Sequence, residues 1–395
     1  MTPVLFEPNH TRPRWLHALA AGPLLALMVA SGGARAETVD AMPGGIKLSA
    51  KGFFTVGVAK SVRVRQSEDA SALNCNCFVT EYSQGGIHED GRVGYRADSK
   101  LGLQGEAAMA DGRYSITGQV VARGARDGKV NLEWLYATAQ ISGNWTAQVG
   151  RKRLPLLAHS ETQDVGVAIP WVRLPTQLYG WDIVNYNGAN LMWRGAWGPV
   201  AVLANGYAGS ETLKNSPYEA IYANDGSRTD TRWSGIRGFE VAMLWGDVRL
   251  RAAAVKARSS YVVTVPEEQP AFYDGAPLRM STLSVSYEPG PWTFSAEGLR
   301  GDRRLEYGLD KSWSVQAGRR FGDVQVVLGH SAYRLVPSEP GSAVEADAMS
   351  SVVLRWDVAP GRAWKLQFDD VRDKSTGDMA TGSRRLVSIT YSGVF

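Results

Sequence analysis

The chain is poor in the residues that make metal centres and catalytic triads. Only two of its 395 residues are cysteines, Cys75 and Cys77. Two thiols one residue apart, with His88 the nearest imidazole in sequence, do not make a metal-ligand set, and no metal is expected. The pair reads as a loop feature, a small disulfide if the chain is exported to an oxidising compartment. Beyond residue 36 the only histidines are His88, His159 and His330. None has the spacing of a Ser/His/Asp or Ser/His/Asn triad, and the adjacency of His159 and Ser160 does not by itself give nucleophile–base geometry. No enzyme activity and no cofactor are expected. There is no phosphate-binding glycine loop and no heptad repeat. The charge is ordinary, with 43 basic against 39 acidic residues, so no nucleic-acid partner is implied.

Long apolar runs are also missing. The N-terminus alone comes close: Arg12 and Arg14 precede the apolar stretch 16–30, interrupted by His17, and Ala34-Arg35-Ala36 stands before Glu37. This is the pattern of a cleaved export signal, and the run falls short of the ~20 apolar residues of an anchor helix. Residues 1–36 are therefore expected to be removed, leaving 37–395 as one domain. With no other candidate helix, a membrane protein made from this chain has to be a closed β-barrel, the other structure that satisfies every backbone group in lipid.

What the sequence does contain is period-two alternation. In the last eleven residues, RLVSITYSGVF, Val387, Ile389, Tyr391, Gly393 and Phe395 share one face, and Ser388, Thr390 and Ser392 share the other. That is a strand, and a strand at the chain end needs a partner on each edge. Pairing it with the first strand closes a barrel. Sixteen strands are predicted, near 46–61, 98–109, 114–123, 132–141, 145–153, 188–196, 200–207, 237–245, 248–258, 281–288, 292–300, 311–321, 324–333, 348–357, 362–371 and 384–395. Seven tight turns, such as Asp111-Gly112, Gly246-Asp247 and Pro360-Gly361, alternate with longer polar loops, as in an up-and-down barrel. Trp145, Trp197, Trp245, Trp292, Trp356 and Trp364, with Phe321 and Phe395, cluster at the tight turns, as an interfacial girdle requires. A soluble sandwich or propeller would also show many strands, but not this placement of aromatics. Prolines are expected outside the paired strands, in tight turns or long loops.

The faces alternate in chemistry. Leu101, Leu103, Ala107 and Met109 oppose Lys100, Gln104 and Glu106. Val248, Leu250 and Ala252 oppose Arg249 and Arg251. Trp364, Leu366 and Phe368 oppose Lys365, Gln367 and Asp369. Charged inner faces, here Arg249, Arg251, Lys365 and Asp369, suit a water-filled lumen. Asp369, Asp370 and Asp373 read as a solvated loop end rather than a Ca²⁺ site. The fifth strand ends in Arg151-Lys152-Arg153 and is followed by a long segment, about 154–187. It carries Glu161, Asp164, Arg173 and Asp182 together with Ile169, Trp171, Leu174, Leu178, Tyr179 and Trp181. A loop this long and apolar is expected to pack against something, and the inside of a wide barrel is the surface available. Trp171, Tyr179 and Trp181 read as loop-packing residues in preference to a path for sugars.

The opening Lys51-Gly52-Phe53-Phe54-Thr55-Val56-Gly57, the Gly150-Arg151 step before a long third loop, and the terminal Tyr391…Phe395 resemble the Gram-negative outer-membrane porins, as a divergent branch. The resemblance covers essentially the whole chain after the signal. It implies an outer-membrane location after export through the periplasm, a sixteen-stranded barrel surrounded by lipid, commonly a homotrimer, and a third loop that folds inward. It implies that Phe395 is read by the barrel-assembly machinery. It also places Arg151, Lys152 and Arg153 at the wall of a constriction, with Glu161, Asp164, Arg173 and Asp182 on the loop. The usual strongly acidic loop motif is not clearly present. The basic wall favours anions slightly if it faces the pore; equally, its arginines could pair with loop carboxylates and hold the loop. Two functions remain open: a passive channel for small hydrophilic solutes, or a non-conducting adhesion or structural barrel acting through long loops at 62–95, 208–236, 259–280 and 334–347.

Overall fold

The computed structural model describes residues 39–42, 45–65, 75, 77–222, 226–305 and 307–395. The expected signal peptide lies outside these residues. Sixteen long strands form the body: β1 (Ile46–Arg65), β2 (Lys100–Met109), β3 (Tyr114–Arg123), β4 (Val130–Gln140), β5 (Trp145–Arg153), β6 (Asn185–Trp197), β7 (Val200–Leu213), β8 (Arg228–Trp245), β9 (Val248–Thr264), β10 (Ala271–Tyr287), β11 (Trp292–Arg303), β12 (Gly308–Phe321), β13 (Val324–Pro337), β14 (Ala346–Ala359), β15 (Arg362–Asp373) and β16 (Ser383–Val394). Each is antiparallel to the next, and β16 returns to β1 with Phe53 opposite Val394 and Val58 opposite Ile389. The sheet is closed and this ring has no free edge, which removes the hazard of an unpaired terminal strand. The backbone of Phe395 completes the closure, bonding Gly52 in both directions at 2.7 and 2.9 Å.

Alternation explains which way each strand faces. Val387 and Ile389 are exposed while Ser388, Thr390 and Ser392 are buried. Leu250, Leu283, Leu366 and Phe368 are exposed, whereas Arg251, Lys365, Gln367 and Asp369 are buried. A protein with its leucines outside and its lysines inside is a barrel for lipid. The six tryptophans of the tight turns, with Phe321 and Phe395, are all exposed, Trp197 at 85%.

The strands run further than their sequence patterns on the loop side. Residues predicted as loops at 208–236 and 259–280 are largely strand, since β7 reaches Leu213, β8 starts at Arg228, β9 reaches Thr264 and β10 starts at Ala271. Above the lipid band the outer face no longer needs to be apolar. In Thr229-Asp230-Thr231-Arg232-Trp233 the buried set is Thr229, Thr231 and Trp233, a polar alternation that reads as a loop. One consequence is that Pro277 sits inside a paired strand, opposite Arg258, beside an irregularity between Ser259 and Tyr261; bulges are where a sheet tolerates proline. A small hairpin, Cys77–Glu81 with Gly86–Glu89, lies between β1 and β2. Cys75 and Cys77 are disulfide-linked.

Candidate functional site

The site is built on the segment between β5 and β6, residues 154–184, with a 3-10 turn, Gly166–Ala168, and one α-helical turn, Thr176–Tyr179. Its apolar residues are buried in three places, in one of which Val165 and Val167 pack with Phe53, Val121 and Ala363 of β1, β3 and β15. Leu154, Leu156, Leu157, Leu178 and Ile183 pack on Val255, Ala257, Leu278, Met280 and Leu299, inner-face residues of β9, β10 and β11. Ile169, Trp171 and Leu174 pack on Val327 and Val353 of β13 and β14. Burying a leucine side chain fully contributes about 1.5–3 kcal/mol, so the apolar content of the segment accounts for its attachment. Trp171 is a packing residue, with its indole N–H donating to Gln316 at 2.7 Å.

Polar bonds fix the same segment to successive strands, always on the face opposite the exposed apolar one. Arg251 donates to the carbonyls of Pro155 and Leu156 at 2.8 and 3.1 Å, and Thr282 donates to Leu156 at 2.6 Å. Glu297 accepts from the Ala158 N–H and the Tyr179 hydroxyl at 2.7 and 2.9 Å. Ser331 donates to Gln177 at 2.9 Å and Arg355 to the Ile169 carbonyl at 3.0 Å. Lys365 is buried against three carbonyls of the segment, Gly166, Ile169 and Trp171, the last two at 2.8 and 2.5 Å. A buried ammonium is tolerated only when its donors are used, and three carbonyl acceptors use them.

Two ion clusters hold the segment on its other side. Asp164 accepts from Lys100 at 3.2 Å, Arg123 at 2.8 Å and Arg153; Arg123 and Arg153 also share Glu133. Burial alone would push the Asp164 carboxyl up, but Arg123, Lys100 and Arg153 hold it well below the usual carboxylate range. Arg173 donates to Asp98 at 2.8 and 3.2 Å, to Asp369 at 2.7 Å and to Ser388 at 2.6 Å. Asp98 also pairs with His88 at 2.9 Å. Its burial is likewise outweighed by Arg173 and His88, which keep it ionised.

The residues singled out from sequence are only partly brought together. Arg153, Asp164, Arg173, Asp369, Lys365 and Arg251 all bind or flank the segment. Arg151 does not: it bonds the Leu132 carbonyl at 2.8 Å and Glu211 at 2.7 Å. Lys152 does face inward, joining Gln148 and Asn190. Asp182 caps its own neighbour Ile183 at 2.7 Å, and burial raises its carboxyl. Glu161 is exposed. Asp370 and Asp373 do not join Asp369: Asp370 pairs with Arg385 on the outer face and Asp373 accepts backbone N–H groups of its own loop. Asp369 is thus buried rather than a solvated loop end. Asp98, Arg123, Glu133, Glu297 and Arg355 were not anticipated; inward parity at a strand end was the available clue for Arg123.

One stretch of inner wall is left clear of these bonds. Gln119 donates to Gln104, Gln148 to Thr138, Asn190 to Gln148 and Asn205, and Asn205 to Glu240, at 3.0–3.5 Å. This amide ladder runs across β2–β8. Arg194 on β6 and Arg249 on β9 lie on the inner alternation and are exposed. His159, on the segment, is lowered to about 4 by burial and by Arg249 and Arg251, so it is neutral near pH 7.

No family model and no curated protein matches the sequence. Solved structures do match in shape. Outer-membrane OmpT of Vibrio cholerae covers 91% of this chain and all of its own, at 10% identity and a TM-score of 0.57. The outer-membrane channel DcaP of Acinetobacter baumannii covers 89% of this chain and 98% of its own, at 10% identity and TM-score 0.56. The anion-selective porin from Comamonas acidovorans covers 89% of this chain and all of its own, at 12% identity and TM-score 0.55. At these identities the likeness is one of fold: a sixteen-stranded barrel of the outer-membrane porin type.

Proposed function

We propose that this chain is a passive diffusion channel of the outer membrane for small hydrophilic solutes and ions, with residues 154–184 inside the barrel as its constriction. The observation that carries this reading is the inner face. Within a closed barrel clad in leucine and tryptophan, Arg194, Arg249 and Glu161 are exposed to water, and an amide ladder lines the wall that the segment leaves clear. Solutes would pass between that wall and Glu161. The bonds from the segment to β9–β16 support a fixed constriction rather than a mobile lid.

Selectivity follows from which charges are spent. Arg123, Arg153 and Arg173 are neutralised by Asp164, Glu133, Asp98 and Asp369, so they act as fasteners. Arg194 and Arg249 make no ion pair among the described residues, which tilts the lumen toward anions. The channel would be exported, inserted by the barrel-assembly machinery through its Phe395 end, and assembled as a homotrimer; OmpT, alike in fold, is also known in a trimer form. A second reading, a plugged non-conducting barrel, draws on the number of wall bonds the segment makes. A planar bilayer separates the two. Stepwise conductance with an anion-directed reversal potential in a salt gradient supports the channel, and a folded barrel that never conducts refutes it.

A further inference from the structure

Two loops from opposite walls of the barrel meet above the constriction. The hairpin of Cys77–Glu81 and Gly86–Glu89 does not stand out in solvent. Its Phe78 packs on Ala59, Met349 and Leu386, inner-face residues of β1, β14 and β16 towards their loop-side ends. Its base is also tied by charge. His88 bonds Asp98 at 2.9 Å, and Asp98 takes Arg173 of the constriction segment at 2.8 Å. Asp90, just past the hairpin, accepts from Ser61 at 2.6 Å and pairs with Arg384 at 3.3 Å. The hairpin is therefore folded over the lumen from the β16–β1 side.

A short helix reaches it from the far wall. Pro217–Tyr222 precedes β8. Ser216 caps it, its hydroxyl accepting the Glu219 N–H at 3.4 Å, and its own N–H donates to the Thr229 carbonyl of β8 at 2.7 Å. In a ring of sixteen strands β8 stands half-way round from β16. Yet the ring of Tyr82, at the hairpin tip, lies 5.4 Å from that of Tyr218 and 6.5 Å from that of Tyr222, and Tyr218 lies 5.4 Å from Tyr222. The Tyr82 and Tyr222 hydroxyls are hydrogen-bonded to each other. The approach is close. A Cβ on Gly85, where φ is +64°, would come within 3.3 Å of Pro217, and one on Gly180, at the end of the segment's helical turn, within 3.1 Å of the Tyr82 ring. Tyr82 is thus lodged between a loop of the opposite wall and the constriction segment.

We propose that Tyr82, Tyr218 and Tyr222 form a latch that bridges the mouth of the barrel, so that a solute arriving from the loop side is selected by size at this bridge before it meets the 154–184 segment. The two ends of the hairpin are held differently. Its base is buried and ion-paired, whereas its tip meets the far wall through half-buried rings. An aromatic pair shifts a population by only about two- to tenfold, so the latch can part while the base stays in place. The inference rests on the reading of the chain as a channel and adds a filter to it.

The test has a structural and a transport arm. Nitroxides on Ile87→Cys and Ala220→Cys should give one narrow distance across the mouth. Adding Tyr218→Ala should raise the share of longer distances about two- to tenfold, and adding Tyr218→Phe should not. A distribution unmoved by Tyr218→Ala overturns the latch, whether or not the barrel conducts. In the transport arm, poly(ethylene glycol) of graded mass is added to one side of a planar bilayer that holds the protein in one orientation. The largest polymer that still lowers the conductance should be smaller from the loop side than from the turn side. Tyr82→Ala should abolish that difference and Tyr82→Phe should keep it. Equal limits from the two sides in the wild type, or a difference that survives Tyr82→Ala, overturns the filter. A wild type that is silent while Tyr82→Ala conducts supports the latch in its shut form. Silence in every variant refutes the channel reading and the filter with it, and the spin-label distances still decide whether the bridge exists.

Discussion

Asp164→Asn strikes the hub of the constriction. The native carboxylate takes bonds from Lys100, Arg123 and Arg153, and both arginine side chains are no more than 2% exposed. With asparagine in its place, the two buried guanidiniums keep only Glu133 as a direct partner, and the Lys100 ammonium keeps only Glu81 at 3.9 Å. Breaking a buried pair by removing one partner costs about 3–5 kcal/mol. At about 1.4 kcal/mol per tenfold, the docked state of this part of the segment loses roughly two to four powers of ten in population. The strand ladders do not use the Asp164 side chain, and the segment keeps its ties to Arg173, Lys365 and Arg251. The expected outcome is an intact barrel whose single-channel current flickers between levels, with a higher mean conductance and a new protease-sensitive site near residues 157–168. Asp302→Asn, on an exposed pair with Arg304, is the control and should cost about 0–1 kcal/mol. Acid should act in the same direction. Because the Asp164 carboxyl is held below its unfolded value, its stabilisation is complete above pH ~3.9 and is lost as pH falls through the folded value. Wild-type conductance, current noise and protease resistance in Asp164→Asn would refute the idea that this cluster holds the constriction.

Other perturbations give further checks. Arg249→Glu should move the reversal potential in a salt gradient toward cations, and by more than Arg151→Glu, because the Arg151 charge is already paired with Glu211. Deleting Phe395 removes the backbone bonds to Gly52 and should lower the amount of folded barrel in the membrane without altering the conductance of channels that do form. Gly52→Val should impair closure for a steric reason, since a Cβ there would meet the Phe395 ring at 2.1 Å. Glu345, in the loop before β14, is pushed up to about 7 by burial and by Asp347. Its contribution is therefore full below pH ~4.3 and lost as pH rises through about 7. The protection of amides in residues 338–347, taken relative to the intrinsic base-catalysed exchange rate, should fall between pH 5.5 and 8 in the wild type, and Glu345→Gln should flatten that dependence.

The barrel was legible because its signal is local. Period-two alternation such as Val387/Ile389 against Ser388/Thr390, and tryptophans beside Gly198 and Gly246, need no knowledge of distant partners. The upper halves of β8 and β10 were not legible, because a strand above the lipid band has no obligatory apolar face. Within the site, parity put Arg251, Lys365 and Asp369 on the inner wall. What parity could not supply was the partner. Arg173 and Asp369 are separated by 196 residues, and Lys365 meets backbone carbonyls that no side-chain pattern marks. The basic run 151–153 reads as one patch, yet its members take different partners: Glu211 for Arg151, Gln148 and Asn190 for Lys152, and Asp164 and Glu133 for Arg153.

The most direct measurement is the conductance of single channels carrying Glu161→Cys, before and after a charged thiol reagent is added. If ions pass between Glu161 and the amide-lined wall, each modification should lower the current in a discrete step, and a cationic reagent should weaken anion preference less than an anionic one. Complete modification, verified by mass, with no change in current would contradict a pathway past the 154–184 segment.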